Sequence, residues 1–447
     1  LPFQQERRRV QQRAAQSGQP ADPDMQADPR MQAPALPPQR AGERASGAPE
    51  LADARRRQQE VLFEISEQKL VRAVESERQL QEVLVDFWFN HFNVFAGKGQ
   101  VRSMLTSYER DTIRPHVFGK FRDLLGASAQ APAMLFYLDN WQSADPKMAE
   151  RLDNVRRSQV VPRRPRGLNE NYARELLELH TLGVDGGYTQ KDVQEVARAF
   201  TGWTIDRPAQ GGGFRFEPRM HDNDDKVVLG HPIKAGGGMR DGEQVLDILA
   251  RHPSTAKFIA TKLARRFVSD SPPTSLVHRA ADAFRRTDGD LREVVRTIIT
   301  SPEFFAAEAY RAKVKTPFEF VTSALRTTGA QVTNGRPVLQ ALREMGMPLY
   351  GCQPPTGYSD KADAWVNTGA LLHRMNFALA LAGHRLRGTL VNLERTLGAG
   401  SAPNAEPLVQ QILMGDVSDS TRATLKKSTE IGQMAALALG APEFQKK

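Results

Sequence analysis

The first residues that could carry chemistry lie near the end of a long apolar segment. Asp86, Asn90 and His91 stand at helical spacing, and Asp86 and Asn90 fall on the same side of that helix. Apolar side chains cover the other sides, so the helix is expected to be buried. A buried carboxylate and a buried amide both need partners. The pattern indicates either a polar network that joins helices or a catalytic or binding site that includes Asp86 or His91.

A second group lies on one face of a helix predicted over 169–182. This face carries Asn171, Arg174, Glu175 and Glu178, while Leu, Tyr and Ala side chains cover the rest of the helix. Two carboxylates on one face of an apolar helix raise each other's pKa or bind a cation. Alternatively, Arg174 neutralises the glutamate four residues later, and the face is a buried Arg–Glu network.

Other polar residues could bind a metal ion or a substrate. His180 points away from the two glutamates and is either a core histidine or a ligand. His221 and Asp222 belong to an acidic loop that could bind a hard or borderline cation, with a solvated turn as the simpler alternative. The candidate catalytic residues are Glu175, Glu178, Asp86 and His91; the candidate substrate-binding residues are Asn90, Asn169, Asn171 and Arg174; the candidate ligands of a divalent metal are His221, Asp222 and His180.

The composition excludes several classes of protein. The chain has 447 residues, of which 40% are apolar, and a formal net charge of +9. It can bury a sizeable core, and no apolar run reaches the roughly 18 residues that a membrane helix needs. The single cysteine, Cys352, excludes an intramolecular disulfide framework and multi-cysteine metal sites. Basic and aromatic residues are not interleaved as nucleic-acid binding requires, so no nucleic-acid partner is expected.

Periodicity predicts a mainly α-helical protein with a small β insertion. Residues 1–59 are rich in Gln, Ala, Pro and Arg and are expected to be disordered. A large helical domain over 60–390 begins with one long helix at 61–92. Short β-type runs separated by Gly, Pro and Asp interrupt it at 203–236. Residues 391–447 form a C-terminal helical extension.

Local signals predict several helix starts. Thr189 followed by Asp192 is typical of an N-cap. A proline after a serine predicts a further helix over 302–309. Lys313, Lys315 and Glu319 form a charged helix start around Pro317, where capping and surface pairing are the simplest explanation.

Several segments then form one recognisable pattern. They are Asp86 to Val94, Tyr108 to Arg114, Ala133 to Asn140, Asn169 to Gly187, Phe200 to Trp203, His221-Asp222, Pro253 to Ala256, Phe267 to Asp270, Lys315 to Glu319 and Pro355 to Tyr358. Together they resemble the bacterial family catalogued as domain of unknown function 1800, over roughly residues 60–385. The resemblance implies no settled activity. It implies a periplasmic or secreted protein, and a partner that is a sulfatase-like member of the alkaline-phosphatase superfamily.

Two functions follow from these patterns and the resemblance. In the first, the segments around His91 and His180 meet in one cleft that His221 closes, and the protein hydrolyses or modifies a polysaccharide or another anionic polymer of the cell envelope. In the second, the protein is a non-catalytic helical scaffold that binds the sulfatase-like protein or a polysaccharide. The polar faces are then structural networks. The cofactor is unknown, and a divalent metal is compatible with the first function.

Overall fold

The computed structural model of the protein describes residues 42–148, 167–208, 212–393 and 405–447, with side chains from Arg56 onward. It confirms a mainly α-helical fold with small sheet insertions. Its helices are α1 (Gly42–Glu75), α2 (Gln79–His91), α3 (Val101–Ser107), α4 (Phe121–Gln130), α5 (Pro132–Tyr137), α6 (Glu170–Glu175), α7 (Gln190–Ala199), α8 (Met239–Arg251), α9 (Pro253–Phe267), α10 (Thr274–Arg286), α11 (Leu291–Ile299), α12 (Pro317–Thr327), α13 (Arg336–Glu344), α14 (Thr368–Ala382), α15 (Ala405–Leu413), α16 (Asp419–Lys426), α17 (Ile431–Gly440) and α18 (Pro442–Gln445). The strands are β1 (Trp203–Ile205), β2 (Phe214–Phe216), β3 (Lys226–Val228), β4 (His231–Ile233), β5 (Gln331–Val332) and β6 (Thr389–Leu390).

The long helix predicted over 61–92 is two helices, so that prediction is wrong at its centre. α1 ends at Glu75 and α2 begins at Gln79. The Gln79 amide nitrogen donates to the backbone oxygens of Ala73 and Ser76, at 3.2 and 2.6 Å. The Ser76 hydroxyl also accepts from the Arg78 amide. These side-chain bonds satisfy the last carbonyls of α1 and let the chain turn. α1 begins at Gly42, inside the segment expected to be disordered; residues 1–41 lie outside the described residues.

The predicted helix start was correct where side chains form the cap, and wrong at a segment that was predicted from a proline alone. Thr189 and Asp192 form a reciprocal capping box at the start of α7, as predicted. The helix predicted over 302–309 is absent, because this segment makes single turns between residues three or four apart. Sequence reasoning also missed α13, whose second residue is Pro337.

The predicted β insertion consists of two separate hairpins rather than one small sheet. β1 pairs antiparallel with β2, and β3 pairs antiparallel with β4. A third two-stranded pair, β5 with β6, was not predicted and joins residues far apart in sequence. Each pair is too short to be stable alone, so the hairpins depend on the helices that they cover.

The apolar side chains form two core clusters. The first is built from α2 to α11 with the first two hairpins. The second is built from α12 to α18 and includes Leu70 and Val74 of α1. α1 contributes to both clusters, since Ile65 packs in the first. Within the described ranges, no helix combines the length and the apolar character needed to cross a bilayer.

Candidate functional site

The polar face of α2 meets α9 and forms the centre of a charge network. The Asp86 carboxylate lies 3.1 Å from the Lys69 ammonium and 3.2 Å from the Arg266 guanidinium. Arg266 is buried and also pairs with Glu319 at 3.2 Å and with Asp360 at 3.1 Å. Arg266 therefore joins carboxylates that belong to both halves of the fold. We call these five residues the Arg266 network.

The network holds its carboxylates in the charged form. Burial alone would raise the pKa of Glu319, but the charges of Arg266 and Lys447 hold that pKa far below its ordinary value. Burial alone would likewise lower the pKa of Arg266, and the surrounding carboxylates raise it instead. A general acid for neutral pH needs a raised pKa. The Glu319 carboxylate does not meet that requirement.

His91 and His180 come together, as the cleft hypothesis expected, but as buried core residues. The His91 Nε2 lies 3.0 Å from the His180 backbone oxygen, so this nitrogen carries a proton and donates it. The His91 Nδ1 must then be unprotonated, and it accepts from the Lys262 ammonium at 2.9 Å. Both ring nitrogens of His91 are thus engaged. Burial and the charge of Lys262 lower the pKa of His91 well below its ordinary value and that of His180 to about 3.

Among Lys262, His91 and His180, Lys262 has the pKa closest to neutral pH. Burial and the charge of Arg265 lower its pKa to about 8. Its ammonium also lies 5.5 Å from the centre of the Phe258 ring. The sequence signal for Lys262 was weak, because a lone lysine on an amphipathic helix is usually solvated. Its hydrogen bond to Nδ1 favours the tautomer of His91 that carries the proton on Nε2.

Glu175 ends α6, and Glu178 lies in the π-helix Leu176–Thr181 that continues it. Both glutamates are half-buried, and Arg174 and Glu178 do not form the predicted ion pair. Arg174 donates to the Gln190 side chain at 2.7 Å, away from Glu178. The Tyr188 hydroxyl donates to Glu178 at 3.1 Å. Burial and the charges of Glu178 and Glu175 raise the pKa of Tyr188 to about 12. A catalytic role for the two glutamates stays a prediction.

The candidate substrate-binding asparagines have different surroundings. Asn169 is the N-cap of α6: it accepts from the Tyr172 amide and donates to the Leu138 oxygen. Asn90 binds both backbone groups of Tyr358 and so fixes the loop after α13. Asn171 is exposed. Two of the three amides thus hold the backbone in place.

The candidate metal ligands do not meet. His221 contacts the Thr201 oxygen through Nδ1 and the Asp241 carboxylate through Nε2, at 2.8 and 3.1 Å. Asp222 binds the Arg198 guanidinium with both oxygens. His180 lies against the His91 ring. Among the described residues, no three His, Cys, Asp or Glu side chains are grouped so that they could hold a metal ion.

A groove opens beside the Arg266 network. A cavity of about 450 Å³ is lined by Asp86, Arg266 and Glu319 among others. It adjoins a second cavity of about 570 Å³. Four side chains line both cavities: Lys315, Ser323, Arg326 and Lys447. A third cavity, of about 720 Å³, shares Arg326, Thr327 and Gln411 with the second. We call these three adjoining cavities the Lys315 groove.

The described lining of the groove carries more cationic than anionic side chains. The cations are Arg266, Arg311, Lys315, Arg326, Lys446 and Lys447, and the carboxylates are Glu82, Asp86, Glu319 and Glu443. The carboxylates are already bound: Glu82, for example, pairs with Arg114 at 2.7 Å. Two large apolar side chains also face the second cavity, Tyr310 with 58% of its surface exposed and Met414 with 76%. The groove therefore combines positive charge with apolar contact area.

Lys315 stands at the junction of the first two cavities. Antiparallel backbone bonds to the end of the chain position it, and one joins its amide to the Gln445 oxygen at 2.8 Å. Its ammonium lies 3.9 Å from the centre of the Phe444 ring. In the described part of the chain, no carboxylate lies within 4.0 Å of this ammonium. Burial, together with the charges of Lys447 and Arg311, lowers the pKa of Lys315 to about 8.

Only part of this site could be predicted from the sequence. The capping that was expected at this helix start is present, as a capping box in which Thr316 and Glu319 bind each other's backbone amides. Surface pairing was the wrong explanation for Lys315, which is half-buried between two cavities and has no carboxylate within 4.0 Å among the described residues. No periodicity could have placed it beside Phe444, since that contact depends on chain pairing over more than a hundred residues.

Comparison with known proteins identifies the family. The chain matches the family described as "Protein of unknown function (DUF1800)" over residues 4–446, and it belongs to that family. No curated protein and no solved structure matches the chain.

Proposed function

We propose that this protein binds an anionic polymer, an acidic polysaccharide, along the Lys315 groove, and that it acts as a binding protein rather than as an enzyme. The observation that carries the proposal is Lys315. This lysine lies between two cavities, and no carboxylate among the described residues lies within 4.0 Å of its ammonium. The Glu319 charge favours the protonated lysine, but that carboxylate is already paired with Arg266 and Lys447. A half-buried cation that has no carboxylate in direct contact is unfavourable in the free protein. A sulfate or carboxylate of the polymer would supply that counter-charge.

The shape and lining of the groove support a polymer rather than a small ligand. Three cavities adjoin one another through shared side chains. Arg326 lines all three, so a bound chain would pass this guanidinium wherever it lay in the groove. Exposed Tyr310 offers an aromatic face for a sugar ring, and aromatic rings with a polar edge suit such amphipathic contacts.

The state of the nearby side chains favours binding over catalysis. The Glu319 carboxylate is held in its charged form by Arg266. His91 has both ring nitrogens engaged, so neither is free to take a proton from a substrate. Acid/base hydrolysis at Glu175 and Glu178 is the alternative hypothesis, and the hydrogen bond from Tyr188 to Glu178 is also compatible with a structural role.

The location and partner of the protein follow as parts of the same proposal. An acidic polysaccharide is met in the cell envelope or outside the cell, which agrees with the periplasmic or secreted location that the family resemblance implies. A sulfatase-like partner would then act on the polymer that the groove holds. Both statements rest on the resemblance and on the charge of the groove.

Titration calorimetry with defined polymers tests the proposal. We expect the wild-type protein to bind dextran sulfate or polygalacturonate, and to leave neutral dextran unbound. Lys315→Met should weaken binding about tenfold, as expected for one lost charge contact. It should also lower the slope of log K against log salt by about 1, because one counterion fewer is released. Lys234→Met, at an exposed lysine outside the groove, is the matched control.

The pH dependence gives a second readout. Binding should weaken as pH rises through about 8, because Lys315 then loses its proton in the free protein. Lys315→Arg should retain its affinity at pH 9, since guanidinium stays charged. Equal affinity of the wild type and Lys315→Met, with equal salt slopes, would refute the proposal, as would equal binding of charged and neutral dextran.

A further inference from the structure

A separate cavity of about 490 Å³ lies between α1, α3, α13 and the loop that follows α13. Three arginines line it: Arg102, Arg336 and Arg343. No acidic side chain lines it within the described part of the chain. It shares no lining residue with the Lys315 groove. We call it the three-arginine cavity.

One face of α13 aims two of these arginines into the cavity. Arg336 and Arg343 are seven residues apart, with Leu339 and Gln340 between them at helical spacing. Two helical turns place the two backbone positions about 10.5 Å apart. The Arg336 guanidinium is held in place because it binds both oxygens of Glu60 at 3.0 Å and lies 3.8 Å from the centre of the Phe63 ring.

Arg102 approaches from α3 and has no partner among the described residues. Its Nε is buried and makes no hydrogen bond. No described carboxylate lies within 4.0 Å of its guanidinium. A buried donor without an acceptor is unfavourable, and such groups are rare in folded proteins. The Nε is enclosed, so an oxyanion in the cavity would instead pair with the terminal nitrogens of this guanidinium, which no described carboxylate neutralises.

We propose that the three-arginine cavity binds a small organic anion whose head is a sulfate or phosphate ester and whose body is apolar. Planar guanidinium groups bind the oxygens of such heads with two parallel hydrogen bonds. Leu62, Phe63, Leu339 and Leu349 form the apolar part of the wall. That mixture of apolar wall and a few polar groups is typical of small-molecule sites. The site is independent of the polymer groove.

Calorimetry with 4-nitrophenyl sulfate and 4-nitrophenyl phosphate tests the site. We expect one saturable site for at least one of the two esters, and the tighter ester identifies the head group. Inorganic sulfate and inorganic phosphate should bind more weakly, because they do not use the apolar wall. Arg102→Met should weaken binding about tenfold, since one charge-assisted contact is lost. Arg251→Met is the matched control, because Arg251 is exposed and its ion pair with Asp288 lies at the surface.

A thermal melt first checks that each variant is folded. If Arg102→Met does not fold, Arg343→Gln is used in its place, because Arg343 is exposed. The proposal is overturned if neither ester binds the wild type, or if the folded arginine variant binds as the wild type does. If the inorganic ions bind as tightly as the esters, the proposal that the apolar wall binds the body of the ligand is refuted. Arg102→Met should leave dextran sulfate binding unchanged, and Lys315→Met should leave ester binding unchanged. The two sites can therefore fail separately.

Discussion

Replacing Lys315 with Met should make the protein more stable at neutral pH. The pKa of Lys315 falls from its ordinary 10.5 to about 8 in the folded protein. That difference corresponds to about 3 kcal/mol of unfavourable free energy for the charged form. Because the side chain keeps some exposure to water, we expect a gain of about 1–3 kcal/mol in the free energy of unfolding. Methionine can also fill the space beside Phe444 that the lysine stem occupies.

The pH dependence of this gain has a definite sign. Below pH 8, Lys315 is charged in both states and the full penalty acts on the folded protein. Between about 8 and 10.5 only the unfolded chain holds the proton, so wild-type stability from this group rises with pH. The advantage of Lys315→Met should therefore shrink from pH 8 towards pH 10.

Urea unfolding at pH 7, 8, 9 and 10 measures this difference. Lys234→Met is the control, since this lysine is exposed and its replacement should change stability by less than about 0.5 kcal/mol at each pH. The reasoning would be refuted if Lys315→Met lost stability at pH 7. It would also be refuted if the difference from the wild type did not change between pH 7 and pH 10.

Three further outcomes follow from the contacts. Arg266→Met should lose about 3–5 kcal/mol in urea unfolding, because three carboxylates whose side chains are only 14–16% exposed lose a counter-charge; a loss below 1 kcal/mol would contradict the network. The lowered pKa values of His91 and His180 mean that only the unfolded chain binds protons below about pH 6.5. As the pH is lowered below about 6.5, the free energy of unfolding should thus fall by about 1.4 kcal/mol per pH unit for each histidine. A melting temperature that stays constant from pH 6.5 to pH 5 would exclude this. Glu178→Gln should change stability by less than about 1 kcal/mol, since the amide oxygen can still accept from Tyr188; a larger loss in the melt would indicate a buried pair.

Those features of the fold that depend on residues close together in the sequence could be predicted. The capping box of Thr189 and Asp192 is one such feature, because four residues complete it. The hairpins followed from Gly, Pro and Asp between short β-type runs. The break at Gln79 could not be predicted, since the apolar spacing continues through it and a side-chain bond to the backbone decides the turn.

The site depended far more on contacts between distant residues. The buried setting of Asp86 was anticipated from its apolar surroundings, but its partners Lys69 and Arg266 come from other helices. The expected meeting of the His91 and His180 segments is present in the structure. The prediction that His221 joins these two segments rested only on its being another histidine. Its actual partner, Asp241, lies on α8 and carried no local signal.

The opposite effects expected at Arg266 and Lys315 distinguish a structural charge from a binding charge. Arg266 is buried among carboxylates, so its removal should destabilise the fold. Lys315 is half-buried and faces cavities and other cations, and burial outweighs the attraction of Glu319, so its removal should stabilise the fold. A side chain that destabilises its own protein is expected at functional sites rather than in structural networks. For this reason we place the function in the groove beside the network, although the charges of the network are the more deeply buried.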